Sequence, residues 1–158
     1  MLKEQYLLSI AHFMYESGKK VAPELKRVFS ELPEDMKLPA IYFPDPEVLS
    51  FPGTLSSDRL NYNWFVKVIA ISTETAYEIA AQIQRDVCGQ YSLIPILNQD
   101  GTETGNYIRL EKPQIKKIDR HTYQLAIGWN ENLVYYDVDK SALGNIQHID
   151  FEVSRKGD

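Results

Sequence analysis

The chain has 158 residues and a mass of 18.2 kDa, the length of one domain that can bury a core without disulfide or metal staples. Hydrophobic residues make up 44% and charged residues 25%, which excludes wholesale disorder and collagen-like repeats. With 17 Lys and Arg against 22 Asp and Glu the formal charge is −5, which argues against tight nucleic-acid binding, and the single Cys88 excludes an internal disulfide or a multi-thiolate zinc site.

The start, Met1-Leu2-Lys3-Glu4-Gln5-Tyr6, lacks the basic residues and apolar stretch of a secretory signal, and no apolar run approaches the ~18 residues needed to cross a bilayer. The expectation is a soluble single domain, residues 1–158, made in a reducing cytosol. Leu7, Ile10, Ala11 and Met14 fall at i, i+3, i+4 and i+7 and predict a first helix stopped by Gly18. A second helix is predicted close behind. Pro23 suits its first turn, and Leu25, Val28, Phe29 and Leu32 repeat the spacing up to Pro33. Residues 38–43 are a short apolar run bounded by Pro39 and Pro44, at best an edge strand or a strand start. Residues 44–60 hold Pro44, Pro46, Pro52 and Gly53, then Ser56-Ser57-Asp58, and read as a long loop. Loops longer than about 12–15 residues are uncommon in compact domains and usually functional.

Residues 61–71 form the strongest predicted strand, with Tyr62, Trp64, Val66, Val68 and Ala70 on one face and Phe65, Ile69 and Ile71 on the other. Thr75 and Glu78 make a capping box, after which Ala76, Ile79, Ala80, Ile83 and Val87 keep helical spacing to Gly89. The rest is strand-like. A short apolar strand spans residues 93–97, and Asn98-Gln99-Asp100-Gly101 is a tight turn. Tyr107, Arg109 and Glu111 alternate with Ile108 and Leu110, and Ile115 and Ile118 continue after Pro113. Asp119-Arg120-His121 then links to a strand with Tyr123, Leu125, Ile127 and Trp129 on one face. Asn130-Glu131-Asn132 links to residues 133–138, Ile149, Phe151 and Val153 predict a last strand at period two, and residues 154–158 should fray. Two helices, strand, long loop, strand, helix and meander make an α+β pattern: a mostly antiparallel sheet with helices packed on one face.

Little in the sequence points to catalysis. His12, His121 and His148 are far apart and outside any ligand spacing, and Cys88, near a helix end, reads as a buried, inert thiol. Neither a Gly-x-Ser-x-Gly elbow nor a phosphate-binding Gly loop is present. Asn98 to Glu103 has a calcium-loop flavour, but Ile96 and Tyr107 stand where oxygen ligands belong, so a plain turn is expected. Trp64 and Trp129 have few basic neighbours, which favours core or subunit interface over base stacking, and Tyr135-Tyr136 suits an interface. The expectation is no cofactor, no metal and no enzymatic activity.

The order of segments resembles that of the tail terminator (tail completion) proteins of long-tailed bacteriophages and prophages. The resemblance runs from the helical pair through Leu38-Pro39-Ala40-Ile41-Tyr42-Phe43-Pro44, the long loop, Tyr62-Asn63-Trp64-Phe65-Val66-Lys67-Val68 and Ala76-Tyr77-Glu78-Ile79-Ala80. It continues through Ile94-Pro95-Ile96-Leu97-Asn98-Gln99-Asp100-Gly101 to Tyr123-Gln124-Leu125-Ala126-Ile127, about residues 1–140. Such proteins share no invariant chemical motif, so no residue role carries over. The resemblance implies a homo-hexameric ring in the neck region of the virion tail. That ring would cap the tail tube, stop its polymerisation and dock the head's closure or connector protein, with DNA passing through the lumen unbound.

Within that expectation the subunit or tube interface falls on the Pro-rich loop, at Asp45, Pro46, Glu47, Phe51, Pro52, Asp58 and Arg59, and on the last strand, at Ile149, Phe151 and Val153. Two alternatives stay open: a head-closure or head–tail joining protein, and a small enzyme or ligand-binding domain with a pocket near Tyr62, Trp64 and His121.

Overall fold

The computed structural model describes residues 2–135. The predicted strand at Ile149, Phe151 and Val153 therefore lies outside the described residues, as do Tyr136 and His148. Ten elements follow one another: α1 (Leu2–Lys19), β1 (Lys26–Phe29), β2 (Ala40–Phe43), β3 (Glu47–Thr54), β4 (Ser57–Ile69), α2 (Thr73–Gly89), β5 (Leu93–Leu97), β6 (Glu103–Arg109), β7 (Gln114–Lys117) and β8 (Thr122–Val134). Six strands build one sheet in the order β1-β2-β4-β8-β7, with β3 lying along β4 on the same side as β2. β5 and β6 form a separate two-stranded sheet. β1 and β2 pair in parallel, and the other pairs are antiparallel. The class is α+β, as the sequence predicts.

The centre is the β4–β8 ladder, paired residue for residue from Ser57↔Val134 to Ile69↔Thr122. Alternation decides its faces. Tyr62, Trp64, Val66 and Val68 of β4 and Leu125, Ile127 and Trp129 of β8 are buried. α2 lies over β8, β4 and β7 with Ala76, Ile79, Ala80, Ile83 and Val87 buried, and α1 packs on α2 and on β5. Phe29, Phe43, Trp64, Trp129 and Tyr62 form a chain of ring contacts with successive centroids 5.1, 5.4, 6.1 and 5.1 Å apart. The Trp64 indole N–H donates to the Pro44 carbonyl, so the buried ring keeps a partner for its polar atom. Between the helices, the Ser17 hydroxyl and Lys20 Nζ donate to Asp86 Oδ2 at 2.5 and 2.9 Å.

Five local expectations are corrected. β2, expected as an edge strand or a strand start, is an interior strand with β1 on one side and β4 on the other, because the flanking Pro39 and Pro44 fall outside its paired residues and Ala40, Ile41 and Phe43 are buried. The second helix does not form: residues 26–29 are β1, and Ser30 then takes a left-handed φ of 62°. Its apolar spacing is real but serves a strand, because Phe29 stacks on Phe43 and β2 supplies the backbone partners. The long loop of residues 44–60 is mostly a hairpin, β3 and β4, turning at Leu55-Ser56. Pro52 is tolerated because β3 is an edge strand, and a register shift follows it. At Gly53 an added Cβ would lie 2.9 Å from the Ser57 carbonyl oxygen, so the close return requires glycine. The cap of α2 is three residues earlier than predicted: Ser72 is extended and its hydroxyl accepts from the Thr75 N–H at 3.2 Å. Finally, Asn130-Glu131-Asn132 is no link, since β4 offers partners as far as Ser57 and β8 runs straight through. The Asp100-Gly101 turn is as expected, with Gly101 at φ 86°.

Candidate functional site: a three-stranded arm

β4 and β8 are 13 residues long each, more than the helices cover. Their far halves, Ser57 to Asn63 and Gly128 to Val134, continue with β3 alongside β4 as a three-stranded arm. Every residue of β3 is exposed, in contrast to the alternating burial of β4. The arm shows water a run of large apolar groups: Val48, Leu49, Phe51, Val134 and, at the turn, the fully exposed Leu55. Leu49 and Phe51 share one face of β3 and Val48 lies on the other, so both faces and the tip carry exposed apolar groups, which on one small ribbon points to an interaction site.

Polar contacts hold the arm's shape. The Tyr135 hydroxyl donates to Asp58 Oδ1 at 2.8 Å, and its backbone N–H to the Ser56 carbonyl at 2.9 Å. Arg59 places its guanidinium 6.0 Å from the centre of the Phe51 ring, its cross-strand partner. At the root, the Tyr62 hydroxyl donates to Glu131 Oε2 at 2.9 Å. Burial, then that hydrogen bond and the Glu131 charge, push the Tyr62 phenol up to about 12. The hydrogen bond to Asp58 raises Tyr135 as well. Asn61 Oδ1 is buried and has no hydrogen-bond partner among the described residues.

The predicted interface residues of the former loop come together here. Asp45 and Pro46 lie in the connection from β2, where Asp45 accepts from the Ser30 hydroxyl at 3.4 Å. Glu47 opens β3 opposite Asn63, Phe51 faces Arg59, and Pro52 faces Asp58. Sequence reasoning missed Val48, Leu49 and Leu55. The alternation of apolar residues around Ser50 was the available signal, obscured by the Pro and Gly residues beside it.

Along the edge of β8 away from β4 runs a groove of about 920 Å³, lined among others by Arg109, Glu111, Lys112, Trp129 and Asn130. The Glu111 N–H donates to the Gly128 carbonyl at 2.7 Å and fixes the groove to that strand. Cys88 also lines it and is exposed, which corrects the buried-thiol expectation: position 88 falls on the solvent side of α2 next to buried Val87. Tyr62, Trp64 and His121, named as the lining of an alternative pocket, are not brought together. The two aromatics are core, whereas exposed His121 sits on the link before β8, its Nδ1 2.8 Å from the Ile71 carbonyl oxygen. Among the described residues no cluster of three or more His, Cys, Asp or Glu is placed to hold a metal, and no helix is long and apolar enough to cross a membrane.

No protein-family model matches the chain. A solved structure covers 85% of this chain and 98% of its own at 14% identity, with a TM-score of 0.44, too low to carry an argument. The uncharacterized protein YqbJ of Bacillus subtilis (strain 168) is 24% identical over 113 residues, 72% of this chain and 77% of that protein. The phage-like element PBSX protein XkdJ of the same organism is 25% identical over 116 residues, 73% of this chain and 80% of that protein. The chain is thus similar over most of its length to a phage-like element protein.

Proposed function

We propose that this chain is a structural, non-enzymatic virion protein, a tail terminator that caps the tail tube as a hexameric ring. In that role it stops tube growth and offers the surface on which the head docks. The observation that carries the reading is the similarity to XkdJ along 80% of that protein's length, and XkdJ is a protein of a phage-like element. The arm supports an assembly role within such a particle. It is a three-stranded ribbon continuous with the core, whose edge strand is exposed throughout and carries apolar groups, suited to contacts with other chains. The partners on this reading are further copies of the chain, the tail tube protein and the head-closure or connector protein. DNA passes through the lumen, where a net-negative ring does not hold it.

Deleting the gene in its phage or prophage and measuring tails by electron microscopy tests this. Overlong, headless tails are expected. Tails of normal length beside leaking, unattached heads would assign the chain to head closure. Intact infectious particles would remove it from the neck.

A further inference from the structure

We propose that copies of this chain join head to tail through the two sides of the arm. The free edge of β3 in one copy meets, in the next, the free edge of β8 and the adjoining groove rimmed by Arg109 and Lys112. The proposal rests on the ring reading above and assigns its contact surfaces.

A closed ring needs two different patches that complement each other, one on each side of the subunit. Strand edges are candidates, and proteins guard the edges they do not use with short strands and basic side chains. In the large sheet, β1 and β7 are such guarded edges: four residues each, carrying Lys26 and Arg27, and Lys116 and Lys117. β3 differs over its first five residues, Glu47 to Phe51: they hold no Lys, Arg or Pro and expose Val48, Leu49 and Phe51, while Pro52 and the register shift beyond it guard only the turn end. The end of β8 beyond the Glu111 contact at Gly128, Asn130 to Val134, is the counterpart. It has β4 on one side, no paired strand on the other among the described residues, and no basic residue. The two unguarded edges lie on opposite sides of one arm.

Their direction and level also fit. β3 and β8 are both antiparallel to β4, so they run the same way. Copies rotated about an axis along the strands bring β3 of one beside β8 of the next in parallel. Glu47 pairs with Asn63, and Asn63 with Gly128, so the acidic start of β3 lies level with Gly128. The groove opens at that level on the far side of β8. Arg109 and Lys112 rim it, and neither has a carboxylate within ion-pair distance among the described residues. Asp45 and Glu47 of one copy supply two negative charges to that rim, against the one that Glu111 already places there. The charges set the register, and the apolar strand edge supplies the contact area.

The test uses disulfides in the full chain with Cys88→Ser. Leu49 and Asn130 both pair with Asn61, one from each side. Within one chain their Cα atoms are roughly 9–10 Å apart, two strand spacings, and a disulfide spans no more than about 7 Å. Leu49→Cys with Asn130→Cys can therefore link only different chains. Oxidation of the purified protein, or of assembled tails, should give a ladder of covalent oligomers that ends at a closed ring, while each single cysteine gives none. Because ring closure staggers neighbouring strands, Leu49→Cys with Asn132→Cys is tested alongside, and a ladder from either pair supports the proposal. No ladder in either sample from correctly folded protein, or efficient dimers from Leu49→Cys alone, would overturn it. Glu47→Lys and Arg109→Glu should each cut the ladder several-fold, and the two together in one chain should restore it; failure to restore would overturn the charge pairing. Overlong tails on gene deletion without a ladder would retain the terminator reading and reject this interface. A ladder with tails of normal length would do the reverse.

Discussion

Replacing Leu49 and Leu55 by Ser should disable the arm at little cost to the fold, whereas Ile83→Ala should do the opposite. Leu55 is fully exposed and stabilises nothing by burial, while Leu49 is 52% exposed. Full burial of a leucine is worth about 1.5–3 kcal/mol, so about half of that, ~1 kcal/mol, is at stake in the double variant. Ile83, on the buried face of α2, is 0% exposed, and truncating such a residue costs about 3–4 kcal/mol through lost transfer energy and the cavity left behind. For 158 residues the unfolding entropy near Tm is roughly 0.33 kcal/mol/K. The arm variant should therefore lower Tm by about 3 °C and the core variant by about 10 °C. Thermal unfolding followed by circular dichroism at low concentration, where copies do not associate, reads both. Electron microscopy of tails made with each variant supplies the second axis: uncapped, overlong tails for the arm variant, and normal tails at permissive temperature for the core variant. A 10 °C loss in the arm variant would refute the separation of arm from core, and normal tails in that variant would refute the arm's part in assembly.

Three further outcomes follow from the side-chain network. Because the folded Tyr62 phenol is raised to about 12, the stability tied to it is intact below the ordinary value of about 10 and declines as pH climbs from there. Urea unfolding should show wild type ahead of Tyr62→Phe by about 1 kcal/mol at pH 8 and the gap closing towards pH 12; a constant gap would contradict the assignment. For Asp86, burial pushes the carboxyl up, but hydrogen bonds from Ser17 and Lys20, the Lys20 charge and Gln82 outweigh it and leave the group below the usual carboxylate range. Its stabilisation is present above about pH 4 and lost as pH falls through the lowered value, so the deficit of Asp86→Asn at pH 7 should vanish in acid. Gly53→Ala forces its Cβ against the Ser57 carbonyl and should speed amide exchange across β3 while protection in α2 stays unchanged; slowed α2 folding or equal loss in both would count against a locally confined turn.

The elements that sequence reasoning located are those whose faces are set by one clear period. β4 alternates without interruption through Tyr62, Trp64, Val66 and Val68, and α2 keeps helical spacing through Ile79, Ile83 and Val87. The failures share a cause: partners distant in sequence decided the outcome. Val28 and Phe29 fit a helix by spacing and became a strand because β2, with Phe43, provided a ladder and a stacking ring. Pro52 and Gly53 signalled a loop, yet an edge strand can hold a proline on its unpaired side and a glycine where the hairpin closes tightly. The candidate surface falls on that same misread segment, whose exposure was legible in its polar and Pro-rich composition and whose strand pairing was not. The groove carrying Arg109 and Lys112 had no sequence signal, since it exists only where residues 109–112 pass along β8.

The two long strands give the molecule the mechanics of a cantilever. The clamped core side of each runs on through Tyr62 and Leu60 of β4 and Trp129 of β8, and only the stretch beyond them is the free beam, with 13 consecutive backbone pairs joining the two parts without a break. A beam clamped in this way resists bending, so its tip has little freedom to lose when another molecule seizes it, and that saving in ordering entropy strengthens association. Force applied at the tip is likewise delivered to the clamp, so a load borne by the arm is felt by the floor on which α2 rests.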